Sequence, residues 1–168
     1  DTNQINLVPI YPGIVQWVNV NGDDYLDLVT IGSDENEELG LRVYLNNSNY
    51  VFSKGLTWDS NIYGVTAGSV AFADYNSDGR DDFVLTGLNR NNQLVTYILT
   101  NSINRYEVKT GHVLEGVFFG KPSWGDYDSD GDLDLIITGQ SSRDPSMGLG
   151  LDPICLLYTS DAADDRVS

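Results

Sequence analysis

Basic residues, histidine, cysteine and long apolar runs are all scarce in this sequence. Its 168 residues include 9 lysines and arginines against 25 aspartates and glutamates, which gives a formal net charge of −16. Such a charge argues against nucleic acid or an anionic membrane surface as a partner, but it is compatible with bound cations. No apolar run approaches the roughly 20 residues that a membrane-spanning helix requires.

Several kinds of reactive site are also missing. The single cysteine, Cys155, excludes an internal disulfide, and the single histidine, His112, has no evident partners for catalysis or metal binding. We expect His112 to be a surface or turn residue. There is no phosphate-binding glycine loop and no GxSxG motif, so the sequence predicts no enzymatic activity. The chain begins at Asp1, and we interpret it as an N-terminally cut or mature piece of a protein.

What the sequence does contain is an acidic repeat. The stretch DYDSDGDLDLIITG at 126–139 has a counterpart in DYNSDGRDDFVLTG at 74–87 and a weaker one in NVNGDDYLDLVTIG at 19–32. The three copies start 55 and then 52 residues apart. Shared flanks and near-equal spacing predict a tandem repeat of about 50 residues, which is typical of propellers and other arrays.

Each copy carries the same flanking residues. An aromatic side chain stands two residues before the acidic stretch, and a glycine closes the apolar run after it. The aromatic residues are Trp17, Phe72 and Trp124, and the glycines are Gly32, Gly87 and Gly139. Because Trp17 and Trp124 recur at one repeat position, we expect both in the core.

The segments around the acidic stretches predict β-structure. They are rich in Val, Ile, Thr and Tyr, and no sustained helical apolar period is present. In each unit a short strand enters the acidic loop, a second leaves it, and a third and a fourth follow across turn-forming residues. Four antiparallel strands per unit match a β-propeller blade. A solenoid is the alternative, although its units are usually shorter.

The nine-residue acidic loops, at 19–27, 74–82 and 126–134, predict cation sites. Positions 1, 3, 5 and 9 offer side-chain oxygens, and position 7 can offer its backbone carbonyl, so that its side chain is free to vary. The candidate ligands at these positions are Asp126, Asp128, Asp130, Asp132 and Asp134 in loop three, Asp74, Asn76, Asp78, Arg80 and Asp82 in loop two, and Asn19, Asn21, Asp23, Tyr25 and Asp27 in loop one.

The ligand set suits calcium rather than zinc, because it consists of hard oxygen atoms without His or Cys. It is not an EF-hand, since position 12 is not Glu and a β-run follows instead of a helix. The alternative is a solvated acidic turn without metal. Loop one departs most from the pattern, because Asn19 and Asn21 replace carboxylates and Asp24 takes the glycine position. It could bind calcium weakly or be held by Asx-type hydrogen bonds alone.

The quoted segments 74–87 and 121–139 resemble FG-GAP and VCBS repeats, the calcium-loop blades of integrin-like β-propellers, and the resemblance covers roughly residues 10–142. It implies an all-β propeller fragment of about three four-stranded blades. It also implies that the calcium has a structural role, in which it holds the hairpin of each blade together.

The end of the chain does not follow the repeat. Residues 155–168 resemble a translated sequencing-adapter scar, so we assign the repeats to 1–154 and interpret 155–168 as a non-native tail. Three repeats are too few for a propeller, which typically has 4–8 blades. We therefore expect an arc cut at both ends. The alternatives are a small closed or stacked array, or a ring assembled from several chains.

These features predict a non-enzymatic, calcium-binding scaffold from a secreted or cell-surface protein, which presents loops for protein or glycan binding and adhesion. The leading alternative is an accessory propeller of a secreted polysaccharide-degrading enzyme whose catalytic residues lie elsewhere. A purely structural spacer is a third possibility.

Overall fold

The computed structural model describes residues 7–47, 52–54, 57–58, 64–102, 105–109, 114–141 and 152–159. These residues form twelve strands in three sheets, and no helix occurs among them. The all-β class that the sequence predicts is therefore confirmed. His112 lies outside the described residues. No described segment is a helix with the length and apolar character needed to cross a membrane.

The first sheet contains four antiparallel strands in sequence order. They are β1 (Gly13–Val18), β2 (Asp27–Ser33), β3 (Leu39–Asn46) and β4 (Phe52–Lys54). The second sheet contains β6 (Thr66–Ala73), β7 (Asp82–Leu88), β8 (Leu94–Ser102) and β9 (Arg105–Val108) in the same arrangement. The short strand β5 (Thr57–Trp58) extends it as a fifth strand that runs parallel to β9.

The third sheet contains three described strands, β10 (Phe118–Gly125), β11 (Asp134–Ser141) and β12 (Asp152–Tyr158). The expected four strands per unit are thus present in the first sheet, while the second has one more because β5 pairs with its edge. In the third sheet, β12 crosses residue 155, where we expect the non-native tail to begin. The sheet boundary and the predicted domain boundary therefore do not coincide, and the origin of the tail stays a prediction.

Equivalent positions of the three repeats also pair in the same way across the strands. In each hairpin the aromatic residue before the acidic loop lies opposite the apolar residue after it: Trp17 opposite Leu28, Phe72 opposite Phe83, and Trp124 opposite Leu135. Such cross-strand apolar pairs are a main source of sheet stability. The three hairpins therefore hold their acidic loops in one register.

Alternate residues of each strand serve two different interfaces, because successive side chains point to opposite faces of a sheet. In β7, Phe83 and Leu85 pack in a cluster shared with the first sheet, whereas Val84 packs in a second cluster shared with the third sheet. All three side chains are fully buried. The sheets are thus stacked in chain order, with an apolar layer between each pair.

The structure corrects the expectation for Trp17. Trp124 is half-buried and packs against the second cluster, but 55% of the Trp17 surface is exposed. The reason is positional, because Trp17 lies on the side of the first sheet against which no other described sheet packs.

Candidate metal centre

Each acidic loop connects the first two strands of its sheet, and its ninth residue is the first residue of the second strand. These residues, Asp27, Asp82 and Asp134, are almost completely buried, with exposures of 0%, 0% and 2%. A buried carboxylate is costly unless hydrogen bonds or a cation compensate its charge. The ninth position is therefore the place where each loop is anchored to the core.

In loops one and three this anchor closes the loop on itself. Asp27 Oδ2 accepts a hydrogen bond from the Val20 backbone N–H at 2.9 Å, and Asp134 Oδ2 accepts one from Tyr127 N–H at 2.7 Å. Both donors stand at position 2 of their loops. Burial raises the pKa of Asp27.

Asp82 in loop two differs. Its Oδ1 atom accepts a hydrogen bond from the Asn101 backbone N–H at 2.7 Å, but its buried Oδ2 atom has no hydrogen-bond partner among the described residues. Burial raises the pKa of Asp82 to about 6, and repulsion from Asp78 and Asp74 acts in the same direction. The Asn76 backbone N–H lies near enough to lower this pKa, which places the carboxylate beside the loop. The buried Oδ2 atom is thus a candidate ligand, although among the described residues three carboxylates converge within 4.8 Å only in loop three.

Loop three brings its first three aspartates together. One carboxylate oxygen from each of Asp126, Asp128 and Asp130 lies within 4.8 Å of the other two. Partial desolvation of its carboxylate and repulsion from Asp130 raise the pKa of Asp128. Oxygen atoms at this separation can share one cation.

Backbone N–H groups fix the orientation of these carboxylates. Asp126 accepts hydrogen bonds from Asp130 N–H at 3.1 Å and Gly131 N–H at 3.2 Å, and Asp130 Oδ1 accepts one from Asp132 N–H at 2.9 Å. Asp128 Oδ1 also accepts a longer bond from Asp130 N–H, at 3.3 Å. The aspartates are therefore held by the turn of the chain, and no ion pair joins them to a basic side chain in the part of the protein that the structure describes.

Loop two has the same network with one addition. Asp74 accepts hydrogen bonds from Asp78 N–H at 2.9 Å and Gly79 N–H at 2.8 Å, and Asn76 Oδ1 accepts one from Asp78 N–H at 3.1 Å. The addition is an ion pair between the Arg80 guanidinium and Asp78 Oδ2 at 2.5 Å. The sequence analysis gave position 7 only a backbone role, so this competing cation was missed.

Loop one is closed by amides instead. The Asn19 side-chain amide donates a hydrogen bond to the Asp23 carbonyl oxygen, and the Asn21 amide donates one to Asp23 Oδ2 at 2.8 Å. Asp23 Oδ1 accepts a further bond from Tyr25 N–H at 2.8 Å. The hydrogen bonds that the sequence allowed as an alternative to calcium are thus present. Each carboxylate oxygen of Asp23 therefore accepts one hydrogen bond from a nitrogen donor of its own loop.

The backbone of loop one also turns differently. Ser77 and Ser129, at position 4 of loops two and three, have positive φ values of 57° and 63°, and Gly79 and Gly131 at position 6 have values of 85° and 97°. In loop one the glycine is Gly22, at position 4, with φ of 77°. Loops two and three therefore share one conformation that their residues fit, and loop one departs from it at position 6.

Asn101 is a supporting residue that the sequence analysis missed. Besides the bond to Asp82, its side-chain amide donates a buried hydrogen bond to the Val20 carbonyl at 2.7 Å, which ties the second sheet to loop one. In the first sheet, Asn46 N–H donates to Asp27 Oδ1 in the same way, at 2.8 Å. Both asparagines follow their aspartate by 19 residues, and this shared spacing is the signal that could have revealed them.

The three loops differ in how well their oxygen atoms fit calcium. Loops two and three offer carboxylate and amide oxygens oriented by the same backbone bonds, and loop two adds the unpaired oxygen of Asp82. Loop three adds the convergent oxygens of Asp126, Asp128 and Asp130. The residues of these two loops fit calcium. Loop one fits calcium less well, because it has amides in place of carboxylates at positions 1 and 3, and the Asn21 amide donates to Asp23 Oδ2.

Comparison with solved structures gave matches to four chains. One is a chain from a study titled as the structural basis of specific recognition of non-reducing terminal N-acetylglucosamine by an Agrocybe aegerita lectin. The match has a TM-score of 0.52 and 22% identity, and it covers 76% of this chain and 33% of the lectin chain. This chain therefore corresponds to about a third of the lectin's length, and the likeness concerns the fold alone.

No curated protein matches this chain in sequence. A family model described as FG-GAP-like repeat matches residues 19–85, a segment that spans loops one and two. The predicted resemblance to FG-GAP repeats is therefore supported over residues 19–85, a shorter range than the 10–142 expected from the sequence.

Proposed function

We propose that the chain is a calcium-binding β-propeller region that serves as a non-enzymatic scaffold in a secreted or cell-surface protein. The observation that supports calcium most directly is the convergence of three carboxylate oxygens in loop three, together with the backbone hydrogen bonds that orient Asp74 and Asp126 in the same way in loops two and three. Bound calcium would supply the positive charge that offsets repulsion among these aspartates. The propeller assignment is supported by the three stacked sheets and by the FG-GAP-like segment.

The scaffold role follows from what the loops do in this fold. Asp82 and Asp134 start the strands that fill the core, so an ion held by loops two and three would stabilise the hairpins directly. We place the protein outside the cell because the chain resembles the calcium-loop blades of integrin-like β-propellers.

The number of calcium sites tests the proposal. Isothermal titration calorimetry of the parent chain is expected to give two sites, because loop one is satisfied by its own amides. Asp130→Asn and Asp78→Asn change the same position in loops three and two, and each is expected to remove one site. Asp23→Asn, at the equivalent position of loop one, is the matched control and should leave two. A parent that binds no calcium, or three ions, would contradict the assignment.

Arg80 gives a sharper prediction for loop two. Arg80→Ala removes the guanidinium that pairs with Asp78 Oδ2, and its side chain is only partly exposed. Because such ion pairs contribute up to about 1 kcal/mol, we expect calcium affinity at loop two to rise by about two- to fivefold. The measurement is the same titration in an Asp130→Asn background, which isolates loop two. An unchanged or reduced affinity would show that Arg80 does not compete with the metal.

We further propose that the scaffold presents a carbohydrate-binding groove. The support is the fold likeness to a lectin and a polar groove of about 420 Å³ between the turns 34–38 and 89–93 of the first two sheets. Glu38, Arg90 and Asn92 are among its lining residues, and such polar groups are suited to sugar hydroxyls.

A glycan array tests this part of the proposal. The parent is expected to bind at least one class of glycan, with glycans ending in N-acetylglucosamine as the first candidates. Arg90→Ala should reduce binding at least about tenfold, as expected for the loss of a hydrogen bond to a charged group. Lys121→Ala, a change of an exposed base on the third sheet, is the control. Absence of binding to every glycan would favour a protein ligand or a spacer role instead.

A further inference from the structure

Loop one contains the single Asn-Gly pair of the sequence, at Asn21 and Gly22. Both residues are exposed. Asparagine is chemically labile, and it loses its side-chain amide most readily before glycine, because glycine has no Cβ to hinder the approach of its backbone nitrogen. The pair stands at positions 3 and 4 of the loop, where loop two has Asn-Ser and loop three has Asp-Ser. Loop one is therefore the loop whose sequence favours this reaction most.

The side chain of Asn21 is folded over its own backbone. Its Oδ1 atom accepts a hydrogen bond from the Asp23 N–H at 3.1 Å, which is an Asx turn. The ring of atoms that this bond closes contains both reacting atoms, the Cγ carbon of Asn21 and the backbone nitrogen of Gly22. The same bond draws electron density from the side-chain carbonyl and makes Cγ a better electrophile. The Asx turn thus favours attack by the nitrogen.

A second contact opposes the reaction. The Asn19 Oδ1 atom accepts a hydrogen bond from the Gly22 N–H at 2.8 Å, and this nitrogen must lose its proton in order to react. Asn19 therefore slows the reaction, and its removal should accelerate it. Because the loop is exposed, water and hydroxide ion have access to both reacting groups.

We propose that Asn21 is a site of spontaneous deamidation. The Gly22 nitrogen attacks Cγ, so that an N–Cγ bond forms and the Cγ–Nδ2 bond breaks. The Nδ2 group leaves as ammonia, with the proton that the Gly22 nitrogen has lost, and a cyclic succinimide remains. Water then opens this ring at one of its two carbonyl carbons and yields aspartate or isoaspartate. No group is oxidised or reduced, and water is the other reactant.

The reaction replaces a stabilising contact of loop one with a repulsive one. Asn21 Nδ2 donates to Asp23 Oδ2 at 2.8 Å, whereas the product carries a carboxylate that faces the same carboxylate. The aspartate product has at position 3 the acidic residue that Asp128 supplies in loop three. The isoaspartate product adds one carbon to the main chain and displaces the turn. Loop one is therefore expected to lose stability as the protein ages.

The chain supplies its own comparisons. Asn76 in loop two forms the same Asx turn, with its Oδ1 atom accepting from the Asp78 N–H at 3.1 Å, and it is exposed as well. Its next residue is Ser77, whose Cβ hinders the approach of the nitrogen. Asn101 also precedes a serine, but it is 2% exposed and its amide donates a buried hydrogen bond. Asn21 should therefore react first, Asn76 later and Asn101 last.

The test is prolonged incubation of the full chain at neutral pH, followed by peptide mapping with tandem mass spectrometry. The mass gain that accompanies replacement of an amide by an acid is expected at Asn21 before Asn76. Asn21→Gln keeps an amide but lengthens the side chain, so the reaction at this site should be lost. Asn19→Ala should accelerate it, and no acceleration would overturn the role given to Asn19. An Asn21 that keeps its amide, or loses it no faster than Asn76, would overturn the proposal.

The inference goes beyond the proposed function and needs no metal. The reaction at Asn21 is expected both with calcium and with EDTA, and circular dichroism checks that the chain is folded in each. Failure of calcium binding would therefore sink the proposed function alone, whereas a stable Asn21 would sink this inference alone.

Asn21→Asp tests the consequence for loop one directly. It removes the amide donor and adds the charge, so its melting temperature in EDTA should fall by about 2–4 °C. Asn91→Asp adds the same charge at an exposed position of the turn 89–93 and should change the melting temperature less. Equal melting temperatures for Asn21→Asp and the parent would overturn the expected loss of stability.

Discussion

Calcium is expected to raise the melting temperature of this chain by about 10 to 20 °C when both fitted loops are saturated. Linkage supplies the magnitude, because a ligand at 100 times its dissociation constant adds about 2.7 kcal/mol per site to the free energy of unfolding. For a chain of this size, 1 kcal/mol corresponds to about 2–4 °C. The measurement is thermal unfolding by circular dichroism with calcium and with EDTA.

The variant that tests the mechanism is Asp126→Ala/Asp130→Ala. It removes two of the three convergent carboxylates of loop three and should halve the calcium-dependent shift, since loop two remains. Without metal, the variant loses three hydrogen bonds of the turn but is relieved of repulsion among like charges, so its melting temperature should stay close to that of the parent. Magnesium at equal concentration is the control for unspecific screening. A folded parent whose melting temperature does not change with calcium would indicate that the acidic loops are solvated turns without metal.

The second large effect is expected in the core rather than in the loops. Leu85 is fully buried in the cluster between the first two sheets. Leu85→Ala removes buried methyl groups and leaves a cavity, so we expect the free energy of unfolding to fall by about 2–5 kcal/mol. Denaturant unfolding monitored by tryptophan fluorescence measures it.

A matched control is available for the core prediction. Leu26→Ala makes the same substitution at a side chain that is 55% exposed, and its cost should stay within about 0.5 kcal/mol. Equal costs for the two variants would show that the layer between the sheets is not the main source of stability. A loss of stability in Leu85→Ala but not in Leu26→Ala would support the stacked arrangement of the sheets.

Much of the fold was predictable because the repeat fixes three hairpins at once. The acidic stretch marks each loop, and the aromatic residue before it lies opposite the apolar residue after it. The alternation of side chains along each strand then predicts which residues point to the same face of the sheet. The strand β5 was not predictable, since two residues paired in parallel leave no periodic signal. The exposure of Trp17 was predicted wrongly, because a repeat position indicates the core only where a neighbouring sheet covers it.

The sequence predicted the residue types of the candidate site, but it did not predict the hydrogen bonds and ion pairs that these residues form. Sequence alone predicted Asp74, Asp78 and Asp82 as acidic ligands, whereas the ion pair of Arg80 and the unpaired oxygen of Asp82 depend on side-chain directions. Asn101 was missed because its partners, Asp82 and Val20, are brought near it only by the packing of two sheets. For loop one, the sequence left two alternatives open, and the orientation of its amides favours hydrogen bonding.

The most direct test of the central claim is a crystal structure of the chain grown with calcium. We predict one ion in loop three, bound by Asp126, Asp128 and Asp130, and one in loop two, bound by Asp74, Asn76 and Asp78 together with Asp82. Anomalous scattering at long wavelength identifies the ions as calcium. Loop one should hold none and should keep the hydrogen bonds from Asn19 and Asn21 to Asp23. Loops two and three without an ion at saturating calcium would contradict the account.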